Sequence, residues 1–323
     1  MKAILLRALG LLLLALSILA AAFYAPERSL QSLIANWAPP PSDFIELQLP
    51  SGAQLIHLRD QGPRDDPLPL ILLHGTSASL HTWQGWVSGL ATTRRVISYD
   101  LPGSGLTGPT PDGDYRDERH RQALLALMDR LAVKRAVLVG NSLGGQIAWQ
   151  LAALRPERVA GLVLVDPGGL AFAGESIPMA FRLAALPGFR QLSSKLLPRR
   201  LVEDSVRDVY GEPSRVTPAL VDRYFELTLR EGNREAVALR MAQRESGRYA
   251  DLLEHIKQPT LILWGGRDRL SPPVLAREFE RRIAGSRLVM FDALGHVPHE
   301  EDPVATLKPV RDFLDGMTAV TPR

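Results

Sequence analysis

The chain has no cysteine among its 323 residues, which excludes disulfides, thiolate metal sites and a cysteine nucleophile. It also lacks a basic block. Its 38 Lys and Arg are interspersed with 35 Asp and Glu for a net charge of +3, a mixed-charge surface with no nucleic-acid footprint. No internal repeat is found, so the length accommodates one large α/β domain or two small ones. With 46% hydrophobic and 23% charged residues, the composition is that of an ordinary globular protein.

What the chain does have begins with a long apolar run. Lys2 and Arg7 precede an uncharged stretch from Ala8 to Pro26, near the lower end of the roughly 17 to 25 residues needed to cross a bilayer. Residues 1–26 are therefore read as a membrane anchor or a signal segment. Ala20-Ala21-Ala22 suits signal cleavage, whereas the length of the run and the interfacial Phe23-Tyr24 pair suit a retained anchor. The anchor is the preferred reading. Positive charge on the N-terminal side places the remainder across the membrane, which in a bacterium is the periplasm.

Residues 27–42 read as a juxtamembrane linker, with a short helix from Glu27 to Ala38 and Pro39-Pro40-Pro41 as a stiff spacer. Alternation over Phe44–Leu49 and Gln54–Leu58, around Ser51-Gly52, predicts an antiparallel hairpin at a sheet edge. From Leu68 the pattern becomes short continuous apolar strands separated by helical stretches, the mark of a buried parallel sheet. The strand signal is missing between about Gly168 and Ile256, where helices are expected at 177–186, 199–210, 217–232 and 234–244. Strands resume at Pro259–Trp264 and Ser286–Phe291, and a helix from Pro303 to Leu314 closes the domain. The expected layout is a core of residues 43–167 and 257–318 with a helical cap of 168–256.

The chemistry centres on residues 135–148, RAVLVGNSLGGQIA. A β-branched run stops at Gly140-Asn141-Ser142-Leu143-Gly144 and an amphipathic helix follows, as in the G-x-S-x-G nucleophile elbow. The tight turn brings backbone so close that a Cβ at either flanking glycine would clash. Asp268 and His296 also fall just past strand ends, where ligands bind in parallel sheets. The order Ser, Asp, His is the one expected for this architecture. His296 would take the Ser142 proton, Asp268 would orient the imidazole, and the Leu143 and Thr76 backbone N–H groups would hold the oxyanion. Asp166 is the rival acid, and His299 and His81 are the rival bases. His74 is read as bracing a loop, Asp100 as supporting the glycine turn, and Trp83, Trp86 and Trp149 as core.

The segments LLHGT (72–76), YDLPGSG (99–105), GNSLGG (140–145), LILWGGRD (261–268) and GHVPHEEDP (295–303) together resemble the α/β-hydrolase superfamily. Within it the chain is similar to capped esterases, lipases and carbon–carbon bond hydrolases with a GNS-x-GG elbow, and best matches membrane-associated bacterial lipases of this type. The resemblance implies a mostly parallel eight-stranded sheet with helices on both faces and a helical cap. It implies a serine hydrolase acting through an acyl-enzyme on a small-molecule or lipid ester, with no cofactor and no metal. Serine at the elbow argues against dehalogenases and epoxide hydrolases, which use an aspartate there. Thr76-Ser77-Ala78-Ser79 and Val297 depart from the glycine-rich loop and the aromatic that carbon–carbon hydrolases usually carry. That activity stays open as an alternative, as does a non-catalytic membrane-anchored binding protein on the same fold. The oligomeric state and the acyl and alcohol portions are not legible in the sequence.

Overall fold

The computed structural model describes residues 2–172 and 195–320. One eight-stranded sheet runs β1 (Ser42–Leu49), β2 (Gly52–Gln61), β3 (Leu70–Leu73), β4 (Val96–Tyr99), β5 (Ala136–Asn141), β6 (Val159–Val165), β7 (Thr260–Gly265) and β8 (Arg287–Phe291). Their spatial order is β1-β2-β4-β3-β5-β6-β7-β8. The hairpin expected at one edge is present: β1 pairs antiparallel with β2, and β2 with β4. All remaining pairings are parallel.

The continuous apolar runs are explained by burial on both faces of the sheet. Ile71, Leu138 and Ile262 face one core, packed under Leu124, Ile147 and Phe279 from α4 (Asp117–Arg130), α5 (Leu143–Leu154) and α9 (Val274–Arg282). Leu70, Val137 and Leu261 face the other, with Trp86 and Val310 from α3 (Gln84–Leu90) and α10 (Pro303–Val320). Because β3, β5, β6 and β7 all run the same way, their carboxyl ends converge on one rim of the sheet, and Ser142, Asp166 and Asp268 follow those ends in the sequence.

Between β6 and β7 the described residues are helical: α6 (Arg199–Val209), α7 (Pro218–Thr228) and α8 (Asn233–Gln243). The helix expected at 177–186 lies outside the described residues. Thr217 caps α7 as expected, its side chain accepting the Leu220 N–H. The helix stops at Thr228 rather than 232, and Gly232, in a left-handed conformation, caps the start of α8. The faces of α7 also divide. Leu220 and Tyr224 join the cap cluster around Tyr210 and Val221, whereas Leu227 packs with Leu33 and Leu106. α9 begins at Val274, directly after Pro273.

The N-terminal segment is helical from Lys2 to Phe23 (α1), and its described leucines and isoleucines are exposed. Among the described residues no helix is long and apolar enough to cross a membrane, and several α1 side chains lie outside the described set. The expected linker is instead docked structure. α2 (Leu30–Trp37), shorter than the helix expected at 27–38, buries Leu33 against Leu106 and Leu227. Backbone bonds join Arg28 to Leu229 and Glu231. Trp37 Nε1 donates to Glu226 at 2.7 Å, and Arg28 pairs with the same carboxylate.

Candidate active site

β5 delivers the chain to Ser142, whose φ of 52° lies in the left-handed region that non-glycine residues seldom adopt. Such a conformation costs on the order of 1–3 kcal/mol and persists only where the surroundings enforce it. Here they do. The Ser142 amide donates to Val165 O at 3.0 Å, and its carbonyl accepts the Gln146 and Gly168 amides, both at 2.9 Å. A Cβ on Gly140 would strike the Gly144 carbonyl, and one on Gly144 would strike the Leu73 carbonyl.

The base arrives on the loop after β8. His296 is 5% exposed, and its Nδ1 lies 2.7 Å from Asp268 Oδ2. The other Asp268 oxygen accepts the Leu270 and Ser271 amides at 2.7 and 2.9 Å, so the carboxylate is fixed before it meets the ring. The His296 backbone is held as firmly. Its amide donates to Val209 O at the end of α6, at 2.8 Å, and its carbonyl accepts Asn141 Nδ2 at 2.9 Å.

Ser142, His296, Thr76 and Leu143 line one cavity of about 120 Å³, walled by Leu170, Phe172 and the α8 residues Arg240 and Met241. The structure therefore brings together all five residues singled out in the sequence, Asp268 reaching the cavity through His296. Among the described residues, the N–H groups of Leu143 and Thr76 donate to no protein group. No Ser142–His296 hydrogen bond is formed; such contacts commonly tighten only around a substrate.

Asp166 joins the cluster in a different role from the one weighed for it. It is fully buried with φ of 44°, and Oδ1 accepts the Gly265 amide at 2.9 Å. Asp166, Asp268 and His296 each place one donor atom within 4.8 Å of the others. Two carboxyls this close in a buried site do not both ionise. Burial first, and then the neighbouring Asp268 charge, hold Asp166 well above the usual carboxylate range. Asp268 alone bonds the imidazole, and the second Asp166 oxygen, Oδ2, is buried without a hydrogen-bond partner among the described residues. Among the described residues this is the one acid–histidine group compact enough to hold a metal, but an Asp166 whose burial disfavours its charge and a His296 Nδ1 already bonded to Asp268 leave it poor in free donors.

The other histidines are bound elsewhere. His299 is fully buried, stacks on Trp83 at 4.0 Å and shares a 3.0 Å hydrogen bond with Thr82; burial holds it well below its usual range. His81 Nε2 donates to Trp37 O at 2.7 Å. His74 Nε2 accepts the Leu101 amide at 2.9 Å, bracing one loop against the next. Asp100 accepts the Leu106 amide at 2.7 Å and supports the glycine turn. Trp83, Trp86 and Trp149 are all core.

Two networks were not foreseen. Asp117 on α4 pairs with Arg240 of α8 at 2.7 Å and accepts from Gln146 and Gln150 at 2.6 and 2.8 Å, tying the cap to the elbow helix. Burial opposes ionisation of Asp117, but Arg240 and the two amides outweigh it and keep the carboxyl below its usual range. Glu301, inside the GHVPHEEDP segment, accepts the amides of Gly295, Gly211 and Glu212 at 2.8–2.9 Å. It clamps the histidine loop to the cap. The only sequence signal for either network was a buried-type position occupied by a charge.

Comparison with known proteins follows the geometry. A family model described as the alpha/beta hydrolase fold matches residues 69–303. The dihydrolipoyllysine-residue acetyltransferase component of the acetoin cleaving system of Pseudomonas putida is 33% identical over 65% of this chain, which spans only 54% of that protein. The 2-hydroxymuconate semialdehyde hydrolase of a Pseudomonas strain is 28% identical over 86% of this chain and 96% of its own. Among solved structures, a thermophilic esterase from Thermogutta terrifontis superposes with a TM-score of 0.72 at 25% identity, covering 85% of this chain and 99% of its own. A bacterial membrane phospholipase A superposes with a TM-score of 0.72 over 98% of this chain and 99% of its own; at 24% identity it speaks to the fold.

Proposed function

The chain belongs to the α/β-hydrolase fold family, and from that premise we propose that it is a serine hydrolase cleaving carboxylic esters. The observation that carries the reading is Ser142, held at a strained elbow in a cavity it shares with His296 and two uncommitted amides. In the proposed reaction Ser142 Oγ attacks the ester carbonyl as His296 Nε2 takes its proton. Charge on the carbonyl oxygen is met by the Leu143 and Thr76 N–H groups, which are already oriented and need no reorganisation. Collapse of the tetrahedral species breaks the acyl–oxygen bond, and His296 returns the proton to the departing alcohol. Water, deprotonated by the same imidazole, then releases the acid from Ser142. Asp268 stabilises the imidazolium in both halves.

Ester cleavage is favoured by the departures at residues 76–79 and Val297 and by the likeness to an esterase. Carbon–carbon bond hydrolysis is the second reading, favoured by the relative that acts on a ring-fission semialdehyde. Labelling with a fluorophosphonate, lost in Ser142→Ala, tests the nucleophile; an unlabelled native protein rejects the hydrolase reading. A panel of p-nitrophenyl esters beside a dienone ring-fission substrate then separates the two chemistries.

The protein is further proposed to sit on a membrane through α1, with its catalytic domain outside the cytoplasm. Nine large apolar side chains between Ile4 and Ile18 are more than half exposed, which water disfavours. Deleting residues 2–23 is expected to move the protein from the membrane to the soluble fraction. Retention in the membrane fraction would count against the anchor.

A further inference from the structure

We propose that the cavity between residues 36–41 and the β2–α3 rim is a second binding site, for a phosphate-class oxyanion held by Arg59. The inference does not rest on the hydrolase reading, since this cavity and the one at Ser142 have no lining residue in common.

Arg59 is a buried guanidinium without a counter-ion. It is 9% exposed, and among the described residues no carboxylate forms an ion pair with it. Its neighbours at the same sheet edge differ. Arg95 pairs with Asp60 at 2.8 Å and Arg94 with Asp66 at 2.9 Å. The carboxylate that Arg59 does feel, Asp100, has both oxygens occupied, by His57 and the amides of Leu80 and Leu106, each at 2.7 Å.

The guanidinium is also positioned with donors to spare. Nε gives its proton to Ser42 Oγ at 2.9 Å, and Ser42 Oγ is itself 3.0 Å from His57 Nε2. The chain Asp100–His57–Ser42 therefore locks the inner side of the fork. Nη2 lies 3.3 Å from His81 Nε2, but that nitrogen directs its proton at Trp37 O, 2.7 Å away, and has no lone pair left to accept. Burial keeps His81 neutral, lowering it to about 4. Nη1 has no protein partner among the described residues. Burial disfavours the charge on Arg59, with Asp100 opposing only in part.

These orphan donors open on a cavity of about 330 Å³. Its described lining includes Asn36, Gln61, Gln84 and Ser88 and contains no carboxylate. A buried charge is tolerated when an opposite charge and hydrogen bonds accompany it. A planar guanidinium fork presented with amide and hydroxyl donors matches a phosphate, which it binds through paired N–H···O bonds. The wall formed by residues 36–41 continues from the end of α2, the helix that follows α1 in the chain. The same chemistry fits free phosphate and the phosphodiester of a lipid headgroup.

The test uses the full-length chain in detergent. Thermal unfolding is followed against increasing inorganic phosphate, and separately against glycerophosphoglycerol, a water-soluble headgroup phosphodiester, with chloride at matched ionic strength as the reference. A saturable rise in Tm of several degrees is expected with at least one of them, because a ligand of the native state stabilises by mass action. A response to phosphate alone identifies the free anion, and a response to the diester identifies the headgroup. Arg59→Gln should abolish the response. If Arg59→Gln does not fold, Ser88→Glu, which places a carboxylate at the cavity from an exposed position of α3, should raise the melting point without ligand and remove the response to it. No saturable response in the native protein, or one that persists undiminished in the variants, overturns the proposal.

Discussion

Asn141 Nδ2 donates to the His296 carbonyl at 2.9 Å, so the residue before the nucleophile holds the backbone of the residue read as its base. The same Nδ2 also reaches Val165 O at 3.1 Å. One buried amide thus joins the ends of β5 and β6 to the loop after β8, fixing the serine and the imidazole relative to each other. Replacing Asn141 with alanine should lower kcat on a soluble ester by about 10- to 100-fold with a smaller change in KM, since misplacement of order 1 Å costs about that much. An unchanged kcat would show that the loop is positioned without it.

Asp166→Asn separates the two buried carboxyls. Burial and the Asp268 charge raise the Asp166 pKa well above its unfolded value, which is near 3.9. Its contribution to stability is therefore fully present below about pH 3.9 and is lost as pH rises toward the folded pKa. Asparagine cannot ionise, so the variant should gain stability relative to the native protein as pH rises above about 4, as read from denaturant midpoints. Asp268→Asn, by contrast, removes the imidazole's partner and should lower kcat by about 10⁴-fold. Equal pH dependence in native and Asp166→Asn protein would mean that Asp166 is ionised in the fold.

The Asp117–Arg240 pair joins the cap to α4 with both side chains under 10% exposed. Truncating one partner leaves a buried charge alone, so Asp117→Ala should cost about 3–5 kcal/mol. Combining it with Arg240→Met should cost clearly less than the two single changes added together. Urea denaturation of the three variants measures this, and simple additivity would deny the coupling.

Gly144→Ala is expected to be the most damaging single methyl at the elbow. The added carbon meets the Leu73 carbonyl, a β3 backbone atom bonded into the sheet between β4 and β5, so the neighbour cannot yield cheaply. Overpacking of this kind costs about 1–3 kcal/mol or more. A melting temperature within a degree or two of native would show that the elbow has slack.

The elements with strong local signals were readable from the chain. Apolar runs between turn residues marked β3 to β7, because strands buried on both faces must be continuous in apolar side chains. Thr217-Pro218 marked a helix start for an equally local reason, a side chain satisfying a free amide. Boundaries set by distant neighbours were not readable. α7 ends at Thr228 because the chain turns there to bond Arg28, some two hundred residues earlier, through Leu229 and Glu231. The segment read as a juxtamembrane linker is packed for the same reason, since Leu33 finds its partners only once Leu106 and Leu227 are in place.

At the site, the sequence by itself determined which residue types stand at which strand ends: serine between glycines after β5, aspartates after β6 and β7, and histidine after β8. Strand direction and turn chemistry are local properties, so that much follows from spacing. Only the tertiary structure decided the roles. It gave the imidazole to Asp268 and pushed the Asp166 pKa above the usual carboxylate range, because pKa depends on distance and burial rather than on order along the chain. It also paired Asp117 with Arg240 and left Arg59 without a carboxylate. In sequence these are ordinary charged residues, and what distinguishes them is the company each keeps after folding.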